Sequence, residues 1–232
     1  RERNTRKVNV ALHLDSVDDK IAYGDLAGID TAAALTVMFW INPDTVAPAR
    51  QVLVAKATAA VIAVLFELLD NDLKIFHTSG AITGETTGNL FVAGIWNHVA
   101  SVFNGSGAAN ANRQQLYFNG VNQALSFVGT VPAALGDGGA DALEVGAGSG
   151  ATGTTFYDGK IAFLRIWTAA LTATEILQEM ASWRPRRTQN LLIGAPYDDG
   201  TSAQDFSGNA NHGTVTGALQ TPGPPVPYGA PE

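Results

Sequence analysis

The chain has 232 residues, of which 46% are hydrophobic, so it can form a sizeable core within a single domain. Its 25 glycines and 10 prolines favour many short strands joined by turns over a few long helices. The absence of cysteine excludes a disulfide, a Cys-ligated zinc site and a thiol nucleophile, and the net charge of −7 disfavours nucleic-acid binding.

Basic residues concentrate at the N-terminus. Residues 1–7 carry four basic side chains and one acidic side chain, which gives this arm a local charge of +3. The arm is either a solvated terminus or a segment that docks on an acidic surface of a neighbouring subunit. It lacks an apolar stretch, so no signal peptide is predicted, and no run of about 18 apolar residues predicts a membrane span.

The first part of the chain has the two-residue periodicity of β-strands. Residues 8–14 alternate between apolar and polar side chains, which predicts a half-buried strand. Residues 35–41 are apolar on both faces, which predicts a central strand covered on both sides. Residues 59–69 and 73–78 flank an Asp-Asn-Asp turn signal at 70–72, and we expect them to form a hairpin.

Two Phe-Asn-Gly triplets, at residues 103–105 and 118–120, end successive strands of a predicted meander. Asn-Gly pairs adopt the positive φ angles of tight turns readily. The loop 106–112 between the triplets lacks aromatic and charged side chains, which favours a connection over a binding site. The glycine-rich segment 134–159 is predicted to be loop with one short strand at 143–145, and the alternating segment 160–167 is predicted to be a strand.

The periodicity then changes to that of a helix. Thr172 and Glu175 have the spacing of a capping box, and the predicted helix ends before Pro185. An apolar stripe at helical spacing is expected to face the core. It consists of Ile176, Leu177, Met180 and Trp183.

Four parts of the chain are therefore expected. The basic arm 1–7 precedes a β-rich domain at 8–183. A turn-rich extension at 184–220 is expected to pack back on that domain. A Pro-rich tail at 221–232 is expected to be extended or disordered.

Four separate stretches resemble the laminin-G-like, concanavalin A-like lectin/glucanase jelly-roll family. They read LTVMFWINPD, GIWNHVASVFNG, LYFNGV and YDGKIAFLRIWTAALTATEI, in the family's order, within residues 8–183. The resemblance implies an all-β, two-sheet antiparallel jelly-roll sandwich with one short helix, followed by the C-terminal extension. The segment 198–218 also resembles one that accompanies such domains in bacterial surface proteins and phage virion proteins.

No catalytic residue is predicted. The glucanase branch of the family carries its carboxylates on one strand, and this sequence has no matching pattern. The nearest candidates are Glu67, Asp70 and Asp72, but Glu67 and Asp70 are three residues apart and would point to opposite faces of a strand. His98 is expected to pack or to hydrogen-bond, and His212 is expected to cap a turn.

The resemblance implies Ca²⁺ as a cofactor, because relatives hold it at a sheet edge. Candidate ligands are Asp137 and Asp141 in the glycine-rich loop. A second set, Asp15, Asp18 and Asp19, follows the first strand, and ordinary turn aspartates are the alternative for both sets.

Glycans stack on exposed aromatic rings. Trp40 and Tyr157 are the aromatic side chains least committed to the core, so they are the candidate ligand-binding residues, with plain packing as the alternative.

These features favour a non-catalytic module on a virion surface, such as a phage decoration or fibre protein. Its basic arm and Pro-rich tail would bind neighbouring virion or surface-protein subunits. The alternative is a carbohydrate-binding adhesion or accessory domain of a bacterial surface protein, and a glucanase-like hydrolase is a third class. The first two place the protein on a virion surface, outside the cell or on the cell surface.

Overall fold

The computed structural model describes residues 9–46, 50–58, 60–78, 82–148, 155–197 and 202–226, with the backbone alone at 76–78 and 202. In these residues two antiparallel sheets pack face to face. Sheet A contains β1 (Val10–Asp15), β3 (Ala34–Pro43), β8 (Asn97–Asn104), β9 (Gln114–Phe118), β10 (Val121–Gln123), β13 (Asp158–Trp167), β14 (Leu191–Ala195) and β17 (Leu219–Pro222). Sheet B contains β2 (Lys20–Ala22), β4 (Gln51–Ala57), β5 (Ile62–Leu69), β6 (Asp72–Thr78), β7 (Ile82–Glu85), β11 (Ser126–Val128), β12 (Glu144–Val145), β15 (Ser202–Ala203) and β16 (Gly213–Thr216).

The strand order is far from sequential. Sheet A runs β10-β9-β8-β3-β13-β1-β17, and β14 pairs with the second half of β13. Sheet B runs β11-β7-β6-β5-β4-β12-β2-β16-β15. The predicted all-β fold, a two-sheet antiparallel sandwich, is confirmed.

The main core lies between the sheets. Strand β3 is central, between β8 and β13, and it directs Val37 and Phe39 towards sheet B. Met38 and Trp40 lie on its opposite face, in two further apolar clusters. A strand that is covered on both faces was the prediction for this segment, and it is confirmed.

The predicted turns are present. Asp70 and Asn71 have φ angles of 49° and 69° and join β5 to β6. Asn119 and Gly120 have φ angles of 51° and 78° and join β9 to β10. Paired positive φ angles match the right-handed twist of the strands they connect, which explains the selection of Asn, Asp and Gly at these positions.

Helix α2 (Ala173–Met180) begins with the predicted capping box between Thr172 and Glu175. The predicted core-facing stripe is wrong in part, because Leu177 is 48% exposed while Glu179 is buried. A second helix that the sequence did not predict, α1 (Asn110–Arg113), occupies the end of the segment 106–112, which was predicted to be a loop. It has four residues and no side-chain cap, so it leaves no periodic signal. Both described helices are far too short to cross a membrane.

The C-terminal extension adds strands to both sheets. β14 pairs with β13 and β17 pairs with β1 in sheet A, while β16 pairs with β2 in sheet B. The expected boundary at residue 221 falls inside β17, and Val226 is buried. The arm at 1–7 and the end of the tail at 227–232 lie outside the described residues.

Candidate functional site

The face of sheet A that points away from sheet B carries two apolar clusters. Helix α2 covers the first, where Ile176 packs with Met38 and Trp167. The second cluster lies beside it and is less completely covered. It consists of Ala11, Ala162, Phe163 and Val226, with the partly buried rings of Trp40, Trp96 and Trp183 packed around them.

The two predicted ligand-stacking residues have different surroundings. Trp40 is partly buried and makes an edge contact with the His98 ring, with ring centres 5.3 Å apart. Tyr157 is 0% exposed, and its hydroxyl donates to the carbonyl of Lys160 at 3.3 Å. The Tyr157 prediction is corrected, because a ring buried in the main core has no free face for a sugar. Trp40 stays a prediction.

A buried ion pair joins β13 to the end of α2. Arg165 donates to the carboxylate and to the carbonyl of Glu179, both at 2.7 Å, and also to the carbonyl of Ser182. The other Glu179 oxygen accepts the backbone N–H groups of Arg186 and Arg187 at 2.9 and 2.7 Å. Burial lowers the pKa of Arg165 to about 10, so its guanidinium is still charged at neutral pH.

A groove with a volume of about 350 Å³ lies between β14 and the segment that follows α2. Its apolar walls include Trp183, Pro185 and the ring of Phe206, which is 57% exposed. Two cations contribute, namely Arg165 in the buried ion pair and Arg184, which is exposed. The full lining is Arg165, Trp183, Arg184, Pro185, Thr188, Leu191, Gly194, Ala195, Pro196 and Phe206.

The loop 205–212 holds Phe206 in this groove. The Asp205 carboxylate is 5% exposed and accepts from the backbone N–H groups of Gly194 and Ser207, both at 2.8 Å. The Asp205 N–H donates to Nδ1 of His212 at 3.0 Å, which confirms the capping role expected for that histidine. The N–H of Phe206 donates to the carbonyl of Gly194 at 2.9 Å, so the loop is fixed to the edge of β14.

Two of the three candidate hydrolytic carboxylates, Glu67 and Asp72, are held in hydrogen bonds. Glu67 is 1% exposed and accepts from Nε of Arg50 at 2.6 Å. Asp72 accepts from the Thr86 hydroxyl at 2.7 Å and from the Gly88 N–H at 3.1 Å. These carboxylates stabilise strand ends and turns. Neither belongs to the described lining of the groove.

The carboxylates of Asp15, Asp18 and Asp19 lie within 4.8 Å of one another. Burial raises the pKa of Asp19, and the charges of Asp15 and Asp18 raise it further. A cluster of hard oxygen donors whose charges repel one another fits the chemistry of Ca²⁺. Asp137 and Asp141 do not belong to such a group among the described residues, and Asp137 accepts from the Gly139 N–H at 2.9 Å as an ordinary turn aspartate does.

The packing role expected for His98 is confirmed. The residue is 2% exposed, and its Nδ1 has no hydrogen-bond partner among the described residues. Burial lowers its pKa to about 3, with a further contribution from the charge of Arg165. The imidazole is therefore neutral and not poised for proton transfer near neutral pH.

This depressed pKa predicts a loss of stability in acid. Above pH 6.5 His98 is neutral in both states, whereas below it only the unfolded chain takes up the proton. The free energy of unfolding should therefore fall by about 1.4 kcal/mol for each pH unit below about 6 until pH approaches 3. Urea titrations between pH 7 and 4.5 measure this slope.

The control for this slope is a histidine on the surface. His98→Gln should remove most of the slope between pH 6 and 5, whereas His13→Gln, at a side chain that is 35% exposed, should keep it. Equal slopes in the wild type and His98→Gln would contradict the assignment.

The model of a laminin G family within the concanavalin A-like lectin/glucanases superfamily matches residues 15–177. The chain belongs to this superfamily. Its two-sheet sandwich is therefore the superfamily's jelly roll, and the laminin-G-like resemblance is confirmed. No curated protein sequence matches the chain.

Solved structures with the same fold are distant in sequence. A Bacteroides ovatus protein described as carbohydrate-binding has a TM-score of 0.67 and 17% identity, over 93% of this chain and 60% of its own. A pentraxin from Limulus polyphemus has a TM-score of 0.56 and 16% identity, over 75% of this chain and 82% of its own. Domain 4 of an extracellular arabinanase from Geobacillus stearothermophilus, in complex with arabinotriose, has a TM-score of 0.50 and 17% identity, over 73% of this chain and 75% of its own.

Proposed function

We propose that the chain is a non-catalytic glycan-binding module whose ligand site is the groove beside Trp183. The observation that carries the proposal is the groove's composition. Phe206 presents an exposed ring and Arg184 an exposed cation in a cleft of about 350 Å³, which combines an apolar sugar-stacking face with a polar group that fixes orientation.

The similar structures support this proposal. The Bacteroides protein is described as carbohydrate-binding, and the arabinanase domain was solved with arabinotriose. The chain spans about 60% of the Bacteroides protein, so it corresponds to one part of that molecule. A module of this kind would work outside the cell or on a particle surface, where glycans are displayed.

The groove also suits binding better than hydrolysis. Its described lining contains no carboxylate, whereas glycoside hydrolysis needs two carboxyl groups on either side of the bond that is cleaved. A binding cleft needs only complementary shape, an aromatic face and a few polar groups. Incubating candidate oligosaccharides with the protein and measuring reducing ends should show no release, and release would contradict the non-catalytic assignment.

A glycan array tests the binding proposal. The wild type should retain a subset of glycans, and Phe206→Ala should weaken that binding by about tenfold, because the ring loses its contact with the sugar. Phe206 is 57% exposed, so the variant should fold normally. Leu219→Ala, at a side chain that is 70% exposed and outside the groove lining, is the matched control and should bind like the wild type.

Two outcomes of the array would count against the proposal. An array without any bound glycan would contradict the glycan-binding function. Glycan binding that is lost in Trp40→Ala and kept in Phe206→Ala would show that the ligand binds at the cluster around Trp40 and not in the groove.

A role as a virion surface decoration or fibre protein is the second candidate. The ends of the described chain lie side by side, because the Gly223 N–H donates to the Asn9 carbonyl at 2.8 Å and the Asn9 side chain donates to the carbonyl of Pro224 at 2.8 Å. The basic arm and the Pro-rich tail therefore emerge at one place, which favours attachment of both to the same neighbouring subunit. Deleting residues 1–7 should release the protein from its native particle, and retention would contradict this role.

We further propose that Asp15, Asp18 and Asp19 bind Ca²⁺ and that this stabilises the turn after β1. Millimolar Ca²⁺ should raise the Tm of the chelator-treated protein by a few degrees, because the ion binds only the folded arrangement of the three carboxylates. Asp18→Asn should abolish the shift, while Asp137→Asn should keep it. An unchanged Tm at millimolar Ca²⁺ would contradict the proposal that these three aspartates bind the ion.

A further inference from the structure

The groove has a cation without an anionic partner. The guanidinium carbon of Arg184 lies 4.5 Å from the centre of the Trp183 ring, and no described residue pairs with this guanidinium through a hydrogen bond or an ion pair. The other groove cation, Arg165, is neutralised by Glu179 at 2.7 Å. One uncompensated positive charge therefore remains in the groove of a chain whose net charge is −7.

Two carboxylates that bond to groove residues or to their chain neighbours do not offset this charge at the surface. Glu179 is 2% exposed, and its oxygens are used by Arg165 and by two backbone N–H groups. Asp205 is 5% exposed, and its oxygens accept from Gly194, Ser207 and Asn211. Both carboxylates are directed into the protein, so a ligand in the groove meets the cation and not the acids.

We propose that the groove selects glycans that carry a sugar acid, whose carboxylate pairs with Arg184. This inference rests on the proposed glycan-binding function. A planar guanidinium forms two parallel hydrogen bonds to a carboxylate, and stacking on Trp183 holds it in place beforehand. The ring of Phe206, also in the groove lining, offers an apolar face to the body of the same sugar.

A neutral sugar could pack against the Phe206 ring, but the Arg184 guanidinium would then interact with water alone. The sugar acid gains a charge-assisted contact that the neutral sugar lacks. Arg184 is thus a specificity-determining residue, and Phe206 contributes affinity for either ligand.

The test compares oligosaccharides that differ only in charge. An array carries galacturonate, glucuronate and sialic acid oligosaccharides, each paired with its methyl ester, which has the same rings without the negative charge. The wild type should bind at least one acid about tenfold more tightly than its ester, and the preference should shrink in high salt. Arg184→Gln should bring the acid down to the affinity of the ester.

Arg186→Gln removes an exposed arginine two residues away and outside the groove lining, and it should behave like the wild type. Equal binding of acid and ester would overturn the sugar-acid inference while leaving the glycan-binding function in place. An acid preference that survives in Arg184→Gln would overturn the assignment to this residue. Binding to none of the glycans, neutral or acidic, would overturn both proposals.

Discussion

Replacing Lys56 with methionine is expected to lower the free energy of unfolding by about 3–5 kcal/mol, and the Tm by on the order of 10 °C. The Lys56 side chain is 0% exposed, and its ammonium group donates to Asp25 and Asp30, both at 3.0 Å, and to the carbonyl of Gly139 at 2.7 Å. All three ammonium protons are therefore used, and methionine would fill a similar volume without replacing any of these bonds.

The cost should come mainly from Asp30. Its side chain is 14% exposed, whereas that of Asp25 is 44% exposed and can be solvated when the lysine is removed. Lys56→Met/Asp30→Asn should therefore recover part of the lost stability, because it removes the uncompensated charge. The recovery is measured as a coupling energy in a double-mutant cycle.

The control for Lys56 is a lysine whose partner carboxylate can be solvated. Lys160 pairs with Asp44, whose side chain is 34% exposed, so Lys160→Met should cost less than about 1 kcal/mol. Denaturant titrations of these variants, with Asp30→Asn to complete the cycle, measure the stabilities. A cost below 1 kcal/mol for Lys56→Met would contradict the buried-ion account.

Replacing Arg165 with methionine should also cost about 3–5 kcal/mol. The side chains of Arg165 and Glu179 are 4% and 1% exposed, and this pair connects β13 to α2 and to the segment after it. Without the guanidinium, Glu179 keeps only its two backbone donors for a buried negative charge. Arg165→Met/Glu179→Gln should be more stable than Arg165→Met alone.

Arg186→Ala is the matched control for this pair. Its backbone N–H donates to Glu179, but its side chain is exposed, so the variant should stay within about 0.5 kcal/mol of the wild type. Thermal and urea unfolding monitored by circular dichroism measure all these variants. An Arg165→Met variant as stable as Arg186→Ala would show that the ion pair does not stabilise the junction.

The sequence was informative wherever a local pattern had a single physical solution. The alternation in β3, the Asn-Gly turn at 119–120 and the capping box before α2 each depend on residues close together in the chain, and each is confirmed. The apolar stripe predicted for α2 was wrong in part. The spacing of apolar residues could not show that Glu179 is buried, because its burial depends on an ion pair with Arg165 on β13.

The candidate site depended on contacts that are distant in sequence. The groove combines Trp183, at the end of the helical segment, with Phe206, which lies 23 residues later in a polar turn. The one available signal for Phe206 was an aromatic residue among Asp, Ser, Gly and Asn, where no core was expected. Tyr157 was misjudged because its glycine-rich neighbourhood suggested exposure, whereas the ring turns into the main core.

The most direct test of glycan binding in this groove is an NMR titration of the isotope-labelled protein with the oligosaccharide that binds most tightly on the array. Shift changes should be concentrated at residues 183–188 and 194–196 and at Phe206, with small changes at Trp40 and at Asp15, Asp18 and Asp19. Shift changes centred on another part of the sandwich, with residues 183–188 and Phe206 unaffected, would contradict glycan binding in the groove.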